Sequence, residues 1–406
     1  MNKLLKREIN ALTGRLDRIV AEQAGRRVFR HLETVRRLSR RARHFGSEAS
    51  RRTKHSLLDR LAVREARQLA HAFSLFFQLV NLCEERARER SLRMKRTASM
   101  SLRSLFRELK AAGVTERQLQ GVLDELELEP VLTAHPTEAN RRAVLNQLAR
   151  LSEQWDQPDE VLEALWQTEE VREQKIGPLQ EVETALYFFN RTIFEAAGNF
   201  YQTFDAELAR SFPGVRRSRH FLTFSSWAGG DRDGNPFVTP DISRSAMERH
   251  HQAAMSLYLR ECDELGRELT HADPGDGLSG SHARPRAAGP YQPYESLRAQ
   301  VGALRRRLRE GSHNHEGFIQ VLEGIRGALV KQKARRAANG RIRRLLIQAK
   351  TFGPHLAQLD FRDHSGKLDH SEPEILEELL AIREIQQRHG VRAAHHFIVS
   401  MTRGAE

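Results

Sequence analysis

Val131-Leu-Thr-Ala-His-Pro-Thr-Glu138 is the stretch on which the fold turns. Its apolar start reads as a short strand that exits at His135, because Pro136 lacks the N–H needed to continue a ladder. Thr137 is a good cap for a helix opening at Glu138, since its hydroxyl can accept from a free backbone N–H of the first turn. Asn140, Arg141 and Arg142 follow at once. Two arginines near the first turn oppose the helix dipole, which is unfavourable unless an anion nearby collects both fields. A phosphate or carboxylate fits there. Taken alone, His135 reads as a satisfied structural histidine; the string as a whole points to a site with His135 at a strand exit and Arg142 beside an anion.

Three further apolar segments stand against a helical background, at residues 221–226, 356–361 and 397–401. Long helical connections between short strands force parallel pairing, so the expectation is an α/β protein built as an open layer or a closed barrel. Ser226-Trp-Ala-Gly-Gly-Asp-Arg-Asp-Gly-Asn-Pro236 follows the second segment. Gly229, Gly230 and Gly234, with Asp231, Asp233 and Asn235, let a backbone approach a ligand closely, and Arg232 offers a fork for a carboxylate or phosphate. A Ca²⁺ loop is the competing reading, but the EF-hand spacing and its closing Glu are absent. In Gln358-Leu-Asp-Phe-Arg-Asp-His-Ser365, Asp360 and Arg362 alternate with Leu359 and Phe361. The pattern puts the charged pair on one strand face, either as an internal salt bridge or as part of a site.

The 406 residues are 39% hydrophobic, enough for a packed core, and carry a net charge of +13. No apolar run approaches the roughly eighteen residues that span a bilayer, and no signal peptide opens the chain, so a soluble, cytoplasmic protein without membrane contact is expected. Cys83 and Cys262 lack metal-ligand or redox spacing and read as ordinary thiols. Residues 1–45 suit an amphipathic helix, a polar stretch covers 46–54, a long helix runs over 57–93, and another helical region covers 158–212. Arg36, Arg37, Arg40, Arg41 and Arg43 are the best candidates for nucleic-acid contact, yet no aromatic residues interleave, and a solvated helix face is the preferred reading. Residues 273–293 collect glycine and proline as a linker, followed by helices at 297–308, 318–329 and through 346. His313-Asn-His315 reads as loop.

The His-Pro-Thr string, the Gly-Gly-Asp-Arg-Asp-Gly-Asn-Pro loop and the Leu-Asp-x-Arg strand, in this order, resemble phosphoenolpyruvate carboxylase, and supporting segments extend the resemblance over nearly the whole chain. The resemblance implies a predominantly helical α/β fold: an incomplete (β/α)₈ barrel with about four of eight parallel strands and extra α-helices. Residues 1–125 would form an N-terminal helical region and 126–406 the first half of the barrel. It implies carboxylation of phosphoenolpyruvate by bicarbonate to give oxaloacetate and phosphate, using Mg²⁺ or Mn²⁺ and no biotin. His135 would take a proton from carboxyphosphate in the second step. Arg362 would contact substrate, with Arg142 and Arg232 also at the site and the glycine loop lining it.

The family's metal-binding Glu and Asp, its Gly-Tyr-Ser-Asp-Ser and Gly-Arg-Gly-Gly segments and its effector site do not occur in this sequence. The chain is therefore expected to be an N-terminal part, inactive alone and needing a complementary C-terminal half or a homo-oligomer. Two other readings stay open, a non-catalytic family paralogue acting as a scaffold and an Arg-rich helical nucleic-acid binder.

Overall fold

The computed structural model describes residues 3–95, 101–133, 141–170, 176–233, 235–271, 295–312, 314–369 and 373–402. The 273–293 linker, His135, Gly234 and His313 lie outside the described residues. The chain divides into two compact units, one of residues 1–101 with 137–175, the other of residues 102–136 with 176–406.

The first unit is helical. Residues 1–45, read as a single amphipathic helix, form two, Lys3–Gln23 and Gly25–Phe45. The break falls at Gly25, whose φ of 87° is open to glycine but strained for other residues. The stretch expected to be polar loop is instead the helix Glu48–Asp59. Gly46 ends the preceding helix in the left-handed region, and the Ser47 side chain accepts from Ser50 N–H to start the next. The expected 57–93 helix begins at Val63 and runs to Lys95. Leu16, Leu32, Leu75, Leu79, Leu151 and Leu162 meet in its core; full burial of each such side chain is worth about 1.5–3 kcal/mol. Within the arginine cluster, Arg36 is not free for an external anion. It donates to Asp17 at 2.7 and 2.9 Å and lies over the Phe76 ring.

The second unit holds the strands. They are short and parallel: β1 (Val131–Leu132), β2 (Ser225–Ser226), β3 (Gln358–Leu359), β4 (Phe361–His364) and β5 (Phe397–Ser400). β1 pairs β2, β2 pairs β3, and β4 pairs β5. Only Asp360 separates β3 from β4, and its N–H donates to Ser226 O at 3.1 Å, while Phe361 N–H turns to His396 O at 3.0 Å. One run of chain thus serves two neighbours. The four segments lie side by side in chain order, and among the described residues no further strand closes them into a barrel.

Helices cover this sheet. Pro178–Phe188, the π-helical turn Phe189–Ile193 and Phe194–Ser211 continue one another. Phe189 and Phe194 pack against Phe352, with Phe224 also stacked on Phe352 at 5.4 Å. Pro240–Glu268 and Pro373–His389, neither singled out from the sequence, come after β2 and, beyond the short helix Ser365–Asp369, after β4. Thr239 caps the first by accepting from Ile242 N–H, with Pro240 at the first helical position. Leu359 and Phe361, both fully buried, anchor the β3–β4 run in the same core.

Candidate active site

Strand alternation fixes where the charges go. With Leu359 and Phe361 turned into the core, Gln358, Asp360 and Arg362 share the opposite face. Asp360 and Arg362 do not pair with each other, as an internal salt bridge would require. Arg362 Nη1 donates to Asp231 at 2.8 Å and Nη2 to Asp233 at 2.6 Å, and its guanidinium lies 5.0 Å from the Trp227 ring centre. The glycine loop after β2 therefore grips the arginine of β4 from two sides.

Backbone contacts set this grip. Arg362 N–H donates to Gly230 O at 3.1 Å, and Arg232 N–H donates to Arg362 O at 2.8 Å. So the loop continues alongside β4 as if it were strand. Gly230 has to be glycine here, since a Cβ would lie 2.2 Å from the Asp360 carbonyl oxygen. Gly229 has φ 89°, and a Cβ there would meet Ala246 at 2.5 Å. Asn235 Oδ1 accepts from Phe237 N–H at 3.2 Å and closes the turn.

Arg232 points away from this cluster. Its side chain is 8% exposed, and Nη1 meets Glu378, 1% exposed, at 2.8 Å. Nη2 donates to Ser243 Oγ at 3.3 Å, and the guanidinium lies over Phe361 at 5.8 Å. Burial holds the Glu378 carboxyl above its ordinary value against the downward pull of Arg232. A buried pair of this kind ties the loop to the Pro373–His389 helix and leaves little of the Arg232 charge for a ligand. Arg142 opens the helix Arg142–Glu153 in the first unit, after Arg141, whose Nη1 donates to Glu169 O at 2.6 Å. The strand β1 that leads to His135 is paired as expected, with Trp227 N–H donating to Leu132 O at 3.0 Å.

A third cluster was not found by sequence reasoning, which named no metal-binding residue. Glu129, Asp360 and His396 bring one donor atom each within 4.8 Å of one another. His396 Nδ1 is 3.2 Å from Asp360 Oδ1 and 3.8 Å from Glu129 Oε1. Burial raises the Asp360 carboxyl; His396 draws it down and Glu129 adds to the rise. The only sequence signal was the alternation that put Asp360 on the Arg362 face, since Glu129 and His396 just precede their strands. The trio's imidazole does not fit Mg²⁺, which demands oxygen donors in a near-ideal octahedron.

Short parallel strands sheathed by helices, with charged and glycine-rich loops leaving them, define an α/β protein. The sequence matches the phosphoenolpyruvate carboxylase family over residues 5–378. It is 33% identical over 391 residues to a phosphoenolpyruvate carboxylase of Thermus sp. (strain 71) and 32% identical over 386 residues to that of Thermus thermophilus, each alignment covering 92% of this chain and 45% of the relative. A Rhodopseudomonas palustris enzyme of the same name is 30% identical over 424 residues. The chain belongs to the phosphoenolpyruvate carboxylase family, and it spans about half the length of the curated relatives it matches. Among the described residues no helix is long and apolar enough to cross a membrane.

Proposed function

We propose that this chain supplies part of the active site of a phosphoenolpyruvate carboxylase, joining phosphoenolpyruvate and bicarbonate to give oxaloacetate and phosphate. The observation that carries the reading is the meeting of two motifs far apart in sequence: the glycine loop Gly229–Asn235 and Arg362 of β4 interlock through both backbone and side chains. β1, which leads to His135, pairs with the strand from which that loop leaves. In this reading the strands are the first half of a (β/α)₈ barrel, and the polar residues sit where ligands collect, at the carboxyl ends of parallel strands.

A bicarbonate oxygen attacks phosphorus, the bond from phosphorus to the enol oxygen breaks, and carboxyphosphate and the pyruvate enolate result. Carboxyphosphate then loses its carboxyl proton to His135 and divides into CO₂ and phosphate. The enolate carbon attacks CO₂ to give oxaloacetate. Arg362 holds an anionic oxygen of the substrate, and the loop carboxylates of Asp231 and Asp233 fix the plane of its guanidinium. That arrangement sets a limit. One guanidinium between two carboxylates carries a net −1, so further cations must offset the substrate's charge before it binds. In this reading those cations, with the Mg²⁺ or Mn²⁺ ligands, come from polypeptide outside this sequence, either the family's C-terminal half or another subunit.

The test is oxaloacetate formation coupled to malate dehydrogenase, on the isolated chain and on the chain co-expressed with a family C-terminal half. Turnover only in the second case is expected; turnover by the isolated chain contradicts the division of the site. No turnover in either case, with a stable complex formed, favours a scaffold, a reading that the occupied state of Arg362 also supports.

A further inference from the structure

We propose that Glu129, Asp360 and His396 form a binding site for one divalent transition-metal cation of the Mn²⁺, Co²⁺ or Zn²⁺ class. The site is separate from the Arg362 cluster and does not rest on the carboxylase reading.

Geometry is the first support. Two donors at about 2.1 Å from one ion stand roughly 3.0–3.4 Å apart at octahedral or tetrahedral angles. His396 Nδ1 lies 3.2 and 3.8 Å from its two carboxylate neighbours. Each donor comes from a different segment, Glu129 just before β1, Asp360 between β3 and β4, and His396 just before β5, so the parallel pairing of those strands holds the spacing.

The second support is negative charge that the neighbouring donors do not balance. Glu129 Oε1 accepts from Ser225 Oγ and from Gln358 Nε2, each at 2.8 Å. Asp360 is held by His396 Nδ1 at 3.2 Å and by the Ser225 side chain. A proton on His396 would serve both carboxylates but leave the cluster at net −1. One divalent ion balances both carboxylates and takes the imidazole as its third donor.

Donor chemistry sets the class. Two carboxylates suit hard ions, while the imidazole shifts preference toward Mn²⁺, Co²⁺ and Zn²⁺ and away from Mg²⁺ and Ca²⁺.

The experiment titrates the purified 406-residue chain with MnCl₂, following free Mn²⁺ by electron paramagnetic resonance. One bound Mn²⁺ per chain is expected, with affinity at least tenfold above that for Mg²⁺ and nitrogen hyperfine coupling in the pulsed spectrum. Glu129→Gln and His396→Gln, which keep side-chain size, should each weaken binding tenfold or more, and His396→Gln should abolish the nitrogen coupling. Circular dichroism establishes that the variants fold. If they do not, the nitrogen coupling in the unaltered chain decides the matter. No binding, unchanged binding in both variants (an adventitious ion only), or bound Mn²⁺ without nitrogen coupling overturns the proposal.

Discussion

Replacing Arg232 by Met tests whether this arginine is spent on structure. The change removes the partner of Glu378, whose carboxylate is 1% exposed and 2.8 Å from Arg232 Nη1. Asp363, 2% exposed, already adds negative charge nearby and pushes the Glu378 carboxyl up. With Arg232 gone, Glu378 must stay charged without its partner or take up a proton. Removing one member of a buried ion pair costs about 3–5 kcal/mol, whereas replacing both by apolar groups of similar size is often near neutral. Arg232→Met should therefore cost about 3–5 kcal/mol, and Arg232→Met with Glu378→Leu distinctly less. Trp227 precedes the loop and is the one tryptophan of the second unit, so urea unfolding is followed by its fluorescence in a Trp155→Phe, Trp166→Phe background. A single variant within about 1 kcal/mol of the parent, the usual worth of an exposed pair, refutes the argument. So does a double variant as unstable as the single.

Three further outcomes follow from the packing and the titrating groups. Burial pushes His250 down to about 4 and His355 down to about 3, from an ordinary 6.5, and among the described residues His250 has no hydrogen-bond partner on either ring nitrogen. The unfolded chain binds the extra protons, so stability is intact above pH 6.5 and is lost as pH falls toward 4, by on the order of 3 kcal/mol for His250 alone; His250→Leu should flatten urea midpoints measured between pH 7.5 and 5, and an unchanged slope contradicts this. Gly230→Ala should cost about 1–3 kcal/mol as its methyl meets the Asp360 carbonyl, and a neutral result in the same urea titration means that the loop lies elsewhere. Asp231→Asn should loosen the hold on Arg362 and raise KM for phosphoenolpyruvate in the complemented enzyme more than it lowers kcat, whereas an unchanged KM removes the positioning role.

The strands were legible because they are the places where short apolar runs meet Pro, Gly or charge. All four expected segments contain or overlap a parallel strand, though hydrogen bonding trims the second to Ser225–Ser226 and splits the third around Asp360. Alternation along 358–364 placed Leu359 and Phe361 in the core and Asp360 and Arg362 on the other face. What it could not give was partnership. Asp231 and Asp233 reach Arg362 across more than a hundred residues, and Glu378 reaches Arg232 from a helix that the sequence reading passed over. Glu129 and His396 were invisible for a related reason, since each precedes its strand and no short spacing links them. The helix over 48–59 was hidden by its own polarity; the cap pair Gly46 and Ser47 was the signal that could have revealed it.

The central claim is that Arg362, held by the glycine loop, contacts phosphoenolpyruvate in a carboxylase completed by further polypeptide. The most direct measurement is kcat/KM for phosphoenolpyruvate, by coupled oxaloacetate formation, for the complemented enzyme with and without Arg362→Met. A fall of about a hundredfold or more, the scale of losing a charge-assisted contact to a reacting anion, is the predicted result. An unchanged kcat/KM in a variant that still assembles contradicts it.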